Sequence, residues 1–446
     1  MDMNRREFLQ LAAAGAAGAL VGAGDARAQE GRPASVEPYD RVFITNEDSN
    51  TLSVIDPRSN SVDTTINLTS FDEDPRPPFR FVTAGIVPTH AAMIHKPLYH
   101  GCIDAHGCVP SPDGRMLATA GRGSSNVYFV DAINRKVLGN SPNPAAGPST
   151  NAERLTSGIL IGREPHEPTF TRDARELWVA VRGEDRIAIM DLQESTPLRY
   201  VDTLDGPAQV WFSADGALAF VASQKVSRLQ VLRRNPDAAG RSQPQGMAML
   251  DLSAQDKPGF TPFLKTSPDG SELWLSHKLA DAVSVRSTSD PFAALELVAL
   301  GAMARPNHVE FVENARGRVV YVSLARVDDD GPGKVASSRI AIIDRSAPPG
   351  SRKVVGNFFS RGREAHGLWT NPAHDLLYVA HEQDELPGTP NAGQTVCTAF
   401  DVSDPLDPKL LAQIALGSLK LPSGELRNKK SINLVYVRPG YKGQTA

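Results

Sequence analysis

SNTLSVID at residues 49–56 is the stretch that decides the fold, because similar stretches recur along the whole chain. Apolar and polar residues alternate in it, which is typical of a β-strand with one buried face. The pattern returns six more times, so the chain carries seven copies of one unit. The further copies are SSNVYFVD (124–131), EDRIAIMD (184–191), VSRLQVL (226–232), ADAVSV (280–285), SSRIAIID (337–344) and TVCTAFDV (395–402).

Each copy after the first is preceded by two more strand-like segments, joined by a turn such as SPDG at 111–114. Pro, Asp and Gly are the residues that tight turns prefer. Seven units of about four strands predict an all-β protein, a seven-bladed β-propeller spanning residues 40–438. The first unit lacks an inner strand of its own. We expect the C-terminal segment Ser431–Val437 to supply it and close the ring, which leaves residues 439–446 as a tail.

The N-terminus has the features of an export signal. Arg5 and Arg6 precede a weakly apolar Ala/Gly run at residues 11–24, and the small-x-small triplet 26–28 follows. This order predicts a twin-arginine signal peptide at residues 1–28, a linker at 29–39 and a periplasmic mature protein. The apolar run is too short and too rich in Gly for a stable membrane span.

The composition excludes some functions. The chain of 446 residues has 47 Lys and Arg against 51 Asp and Glu, a formal net charge of −4, so nothing indicates a nucleic-acid surface. Its three cysteines leave at least one thiol free. Cys102 and Cys108 flank the first candidate site residues; a small buried side chain is favoured over a thiolate ligand.

Histidine recurs at one place in the repeat. GREPH (162–166) returns as GREAH (362–366), IDAH (103–106) has Asp in the Glu position, and RPNH (305–308) keeps only the His. Repeats stack around one axis, so equivalent residues become neighbours. We expect four histidines to ring the mouth of the axial channel as metal ligands, namely His106, His166, His308 and His366. Three carboxylates are expected behind them as hydrogen-bond partners, namely Asp104, Glu164 and Glu364. The alternative is that these His–carboxylate pairs only tie neighbouring blades together.

Other polar residues are expected on the same face. The ends of the second strands carry cations that could orient an anionic substrate, namely Arg122, Arg182 and His381, together with His277 and Lys278. A solvated rim is the alternative. The insert at about residues 70–104 contains His90, His95 and His100, and could fold across the mouth as a lid or be an exposed loop.

The sequence resembles a known propeller family. FITN (43–46) followed by SNTLSVID, together with the SPDG turns, resembles the YVTN repeat of bacterial seven-bladed propellers across residues 40–438. That family is similar in fold to the haem-d1 domain of cytochrome cd1 nitrite reductases, and it includes both enzymes and cofactor-handling proteins. The resemblance therefore implies the fold and not the function. A covalent c-type haem is not expected, because the chain has no CxxCH motif.

The histidines lead to competing functional hypotheses. Neutral imidazoles suit a transition metal, with Fe or Cu favoured over Zn, better than Mg or Ca. A four-His axial site resembles, in architecture only, the iron site of carotenoid-cleavage oxygenases. The first hypothesis is therefore a metal-dependent oxidoreductase or oxygenase acting on a small molecule. The alternatives are a non-catalytic propeller that binds a haem-like cofactor or a partner protein and, as a weaker one, a lactonase-type hydrolase using a metal-activated water.

Overall fold

A computed structural model describes residues 35–68, 103–138, 159–194, 197–252, 260–329, 336–421 and 424–443. Within these ranges the regular structure is β, apart from two short 3₁₀ turns at Glu47–Ser49 and Arg182–Glu184. The predicted signal peptide and nearly all of the predicted lid, with its three histidines, lie outside the described residues. The described part of the chain contains no helix long and apolar enough to cross a membrane.

The strands form seven antiparallel sheets, one per blade, named here from the inner strand outwards. Blade 1 contains Ser431–Val437, Arg41–Asn46, Thr51–Asp56 and Ser61–Asn67. Blade 2 contains Ala105–Pro110, Met116–Gly121, Asn126–Asp131 and a split outer strand, Lys136–Val137 and Ile159–Leu160. Blade 3 contains Pro165–Phe170, Glu176–Val181, Arg186–Asp191 and Arg199–Asp202.

The remaining blades follow in chain order. Blade 4 contains Pro207–Phe212, Leu218–Ser223, Arg228–Arg233 and Gln245–Asp251, and blade 5 contains Leu264–Thr266, Glu272–His277, Ala282–Ser287 and Ala294–Ala299. Blade 6 contains Pro306–Asn314, Gly317–Asp328, Ser337–Asp344 and Val354–Phe359, and blade 7 contains Arg363–Thr370, Leu376–Gln383, Val396–Asp401 and Lys409–Ala415. A hairpin of Ser418–Leu421 and Gly424–Arg427 leads into the last strand.

The two ends of the chain meet in blade 1. Ser431–Val437 pairs antiparallel with Arg41–Asn46, with Val435 opposite Phe43. The inner strands of successive blades contact one another, and Ser431–Val437 contacts the inner strands of both blade 7 and blade 2. The predicted seven-bladed propeller, closed by the C-terminal strand, is confirmed.

Blade packing explains why the second strands read as apolar runs. Every residue of Glu176–Val181 and Glu272–His277 is buried, since neighbouring blades cover both faces of these strands. The buried Glu at the start of each run is satisfied locally: the indole N–H of Trp178 donates to Glu176, and that of Trp274 donates to Glu272. Burial between the blades thus forms the core, and polar chemistry is left to the axis.

The inner strands carry a β-bulge at a recurring position. In blade 3, Pro165 pairs with Val181 and Pro168 with Val179, so His166 and Glu167 together oppose one residue, Ala180. A bulge re-aims its side chains and is common beside functional sites. The same irregularity occurs at residues 106–107, 307–308, 366–367 and 432–433. Two successive residues can therefore face the axis, which strict strand alternation would forbid.

Candidate functional site

The four predicted histidines line one cavity of about 220 Å³ on the propeller axis. The ring centroids of His106 and His166 are 4.2 Å apart, and those of His308 and His366 are 4.9 Å apart. His106 and His366 link the two pairs, with centroids separated by 6.5 Å. The repeat thus brings together side chains that are up to 260 residues apart in the sequence (366 − 106).

His308 differs from the other three in its position along the strand. It is the second residue of its bulge, where blade 3 has Glu167, and Asn307 takes the first position. The Arg305 carbonyl accepts a hydrogen bond from the backbone N–H of Ala325, and in blade 2 the Asp104 carbonyl accepts one from Arg122. The two partners are 20 residues apart in blade 6 and 18 residues apart in blade 2. The blade 6 hairpin is thus longer, and the expectation of a single column for all four histidines is wrong for His308. Its ring stacks on Phe263 at 4.0 Å.

Three side chains form a candidate metal site within this cavity. In the described part of the chain, His106, His166 and Glu167 are the one group of three or more potential ligands whose donor atoms all lie within 4.8 Å of one another. His308 and His366 line the same cavity but do not join that group. Glu167 was missed by the sequence analysis, because a strictly alternating strand would turn it away from His166.

The local hydrogen bonds indicate which nitrogen of each histidine could face a ligand. His166 Nδ1 lies 2.9 Å from the carbonyl oxygen of Ala208, so Nδ1 carries the proton and Nε2 holds the lone pair. His106 Nδ1 is buried and has no hydrogen-bond partner among the described residues. It lies 3.9 Å from Glu167 Oε1. Glycine at position 107 makes room for this carboxylate, since a Cβ there would come within 2.4 Å of Glu167 Oε2.

Burial sets the protonation states. It holds the pKa of His106 well below its ordinary value, and the neighbouring His166 and Arg122 lower it further. Burial lowers the pKa of His308 to about 3. Burial also raises the pKa of the Glu167 carboxyl, against the opposing effect of a hydrogen bond from Asn433. Burying these imidazoles and this carboxyl costs free energy. A cation bound between them would offset that cost.

The three predicted carboxylate partners face other side chains. Asp104, Glu164 and Glu364 have φ values of 55°, 53° and 59°. This left-handed conformation breaks the strand alternation on which the prediction relied. Asp104 accepts a hydrogen bond from Arg122 Nε at 3.0 Å, Glu164 lies 3.6 Å from Arg182 Nε, and Glu364 accepts one from Gln383. The carboxylates near imidazoles are instead Glu167 and Glu382, the latter 3.6 Å from His366 Nε2.

A second set of polar side chains lines the same cavity. The residue that follows the second strand, or occupies the equivalent place, lines the cavity in six blades: Glu47, Arg122, Arg182, Gln224, Lys278 and Glu382. Arg122 and Arg182, which were predicted on this face as substrate-orienting residues, both line the cavity. Arg122 also contacts Glu47, and Arg182 donates to the Gln224 side chain.

His381 is not part of the cavity lining, contrary to the sequence prediction. It lies one residue before Glu382, so strand alternation turns it away from the axis. The ring is fully buried; Nδ1 donates to the Val396 carbonyl at 3.0 Å, and Nε2 accepts from the Ser360 hydroxyl at 3.0 Å. Glu382, one position later, was missed. The recurrence of polar residues at that position in other blades is the signal that could have found it.

Comparisons with known proteins identify the fold and a family. Residues 104–329 match the family described as "Lactonase, 7-bladed beta-propeller", which is just over half of the chain (226 of 446 residues). No curated protein gives a significant match. A putative 6-phosphogluconolactonase of Bacteroides uniformis is similar in structure, with a TM-score of 0.58, 13% identity, and coverage of 89% of this chain and 99% of that one.

Two further solved structures share the fold. The periplasmic gluconolactonase of Pseudomonas aeruginosa has a TM-score of 0.54 and 16% identity, covering 90% of this chain and 99% of its own. The dihydro-haem d1 dehydrogenase NirN, solved in complex with DHE, has a TM-score of 0.51 and 13% identity, covering 93% of this chain and 78% of its own. At these identities the likeness establishes the architecture alone.

Proposed function

Since the chain belongs to the seven-bladed β-propeller lactonase family, we propose that its axial cavity holds a divalent transition metal ion and hydrolyses a small cyclic ester. The observation that carries this proposal is the proximity of His106, His166 and Glu167, whose donor atoms all lie within 4.8 Å. Two imidazoles and one carboxylate form a ligand set found in zinc hydrolases and in mononuclear iron enzymes. The weaker hydrolase hypothesis of the sequence analysis thus becomes the leading one.

The donor atoms follow from the hydrogen bonds. His166 would bind through Nε2, because Nδ1 is committed to the Ala208 carbonyl. His106 would bind through the unpartnered Nδ1, beside a carboxylate oxygen of Glu167. The amide nitrogen of Gln224 lies 3.1 Å from His166 Nε2 and would have to turn aside. A bound ion would supply a water of lowered pKa as the nucleophile.

The other wall of the cavity offers groups for proton transfer. Burial raises the pKa of the Glu382 carboxyl above its ordinary value, against the opposing effect of Lys278. A carboxyl with such a pKa is suited to give and take protons. Its neighbour His366 stays neutral, because burial holds the pKa of that imidazole well below its ordinary value.

An oxidoreductase or oxygenase is the second candidate, since mononuclear Fe(II) oxygenases use the same two-His–one-carboxylate set. A haem-like cofactor is weaker, although NirN binds such a ligand on this fold. The described cavity of about 220 Å³ is smaller than the roughly 300–1,000 Å³ typical of sites for drug-sized ligands.

Metal content and turnover on purified native protein test the proposal. We expect one stoichiometric ion and hydrolysis of a simple sugar lactone, both lost in His166→Ala and both kept in His277→Gln. His277 is a matched control because it is buried among Thr261 and Ser284, outside the cavity lining. Iron with oxygen consumption, and no lactone hydrolysis, would select the oxygenase instead. Protein without stoichiometric metal overturns both metal-dependent readings.

A further inference from the structure

Three of the four cations that line the cavity have carboxylates beside them. Arg122 Nε lies 3.0 Å from Asp104, Arg182 Nε lies 3.6 Å from Glu164, and Lys430 Nζ lies 2.8 Å from Glu47. Lys278 is different, since within the described ranges no carboxylate oxygen lies within 4.0 Å of its ammonium. Its ammonium donates to the side-chain oxygen of Asn307 at 2.7 Å.

The repeat explains this exception. In blades 2 and 3 the carbonyl that accepts from the backbone N–H of the cavity-lining Arg belongs to an acidic residue, Asp104 or Glu164. In blade 5 the corresponding carbonyl, which accepts from the Lys278 N–H at 3.0 Å, belongs to Phe260. The pairing of charges within one blade is therefore absent in blade 5, and the ammonium keeps donor capacity for another acceptor.

Blade 5 also supplies two of the apolar residues that line the cavity. Phe260 and Pro262 line the cavity together with Lys278. Burial lowers the pKa of Lys278, against the opposing effect of the Glu382 and Glu364 carboxylates, none of whose oxygens lies within 4.0 Å of the ammonium. A cation that shares a cavity with apolar side chains is complementary to a molecule with one anionic group and a carbon skeleton.

We propose that Lys278 binds the negatively charged group of an organic acid whose carbon skeleton packs on Phe260 and Pro262. This substrate class rests on the proposed function and deepens it, since the acid would be a cyclic ester that also carries a free anionic group. The predicted roles of Arg122 and Arg182 in orienting an anion pass to Lys278, because both arginines already face carboxylates.

Calorimetric titration of the full mature protein tests the proposal, with benzoate as the probe, acetate carrying the charge alone, and benzyl alcohol carrying the ring alone. Benzoate should bind more tightly than acetate, and benzyl alcohol should not bind measurably. Lys278→Met should weaken benzoate binding about ten-fold or more, the scale of a lost charged hydrogen bond. Lys225→Met is the matched control. Lys225 follows the cavity residue Gln224 in the chain, but it is exposed and pairs with Asp185.

Several results would overturn the proposal. These are no saturable benzoate binding, equal binding by Lys278→Met, or equal binding of benzyl alcohol and benzoate. Repeating the titration on metal-depleted protein separates the two proposals. Binding that vanishes with the metal and ignores Lys278→Met would contradict the lysine site. Lys278-dependent binding by a protein that never contains metal would contradict the metal site and leave the lysine site standing.

Discussion

His166 Nδ1 is held 2.9 Å from the carbonyl oxygen of Ala208, the residue at the equivalent bulge position of the next blade. One blade therefore fixes the tautomer of a histidine on its neighbour, and the lone pair of Nε2 points to where the Gln224 amide lies at 3.1 Å. Blade packing prepares the ring for a ligand, and Gln224 competes for the same lone pair.

Gln224→Ala should strengthen metal binding, because it removes that competing hydrogen bond. The gain should be about five-fold, which corresponds to roughly 1 kcal/mol for one net hydrogen bond. A competition assay with a chromophoric chelator measures it. Gln383→Ala is the control, since its amide donates to Glu364 and not to an imidazole. Weaker metal binding by Gln224→Ala would show that the amide supports the site.

Glu164→Gln should leave the metal content unchanged and lower the stability. Its carboxylate is 3.6 Å from the buried Arg182, so the substitution removes a charge partner at a cost of about 1–3 kcal/mol. Metal analysis and urea unfolding report the two effects. A ten- to hundred-fold loss of metal affinity, the effect of removing a partner of a metal-bound His, would reinstate the original carboxylate prediction.

His381→Gln should reduce the acid sensitivity of the fold. Burial lowers the pKa of His381 from 6.5 to about 4, so the unfolded chain binds a proton in this window and the folded protein does not. The difference in proton binding costs no free energy of unfolding above pH 6.5. As the pH falls towards 4, it lowers the free energy of unfolding by up to about 3 kcal/mol. Urea unfolding of both proteins at pH 7.5, 6, 5 and 4 measures the difference. Parallel stability curves would show that His381 does not stay neutral.

Truncation before Ser431 should prevent stable folding. The lost strand buries Ile432, Leu434, Val435, Tyr436 and Val437. Their burial contributes on the order of 10 kcal/mol, which is comparable to the stability of a whole domain. Deleting only residues 441–446 is the control, and it should remain soluble with a nearly unchanged Tm. A soluble, cooperatively melting protein that ends at residue 430 would contradict ring closure as the source of stability.

Arg5→Lys combined with Arg6→Lys should leave the precursor in the cytoplasm, if the chain is exported by the twin-arginine route. Cell fractionation with immunoblotting measures this. Normal delivery of the double variant to the periplasm, in cells depleted of the general secretion pathway, would argue against that route.

The sequence contains most of the fold and about half of the site. The repeated strand pattern is enough to count the blades and to assign Ser431–Val437 to blade 1, because both follow from hydrophobic alternation. Glu167 could not be predicted, since a bulge is a register shift that alternation alone does not reveal. The sequence prediction chose His381, although the residue that lines the cavity is its neighbour Glu382. Because side chains of a strand alternate between two sides, an error of one position moves a residue from the axis to the blade interior.

Blade 1 is built from the first and last strands of the propeller, and this links the cavity to the closing of the ring. Asn433, which donates to the Glu167 carboxylate, and Lys430, which pairs with Glu47, both lie in or next to the closing strand Ser431–Val437. Contacts of such high sequence separation form late in folding. Blades 2 to 7 could therefore stack before Ser431–Val437 pairs with Arg41–Asn46, and the cavity would still lack Lys430 and Asn433. Closing the ring and completing the cavity are thus one folding event.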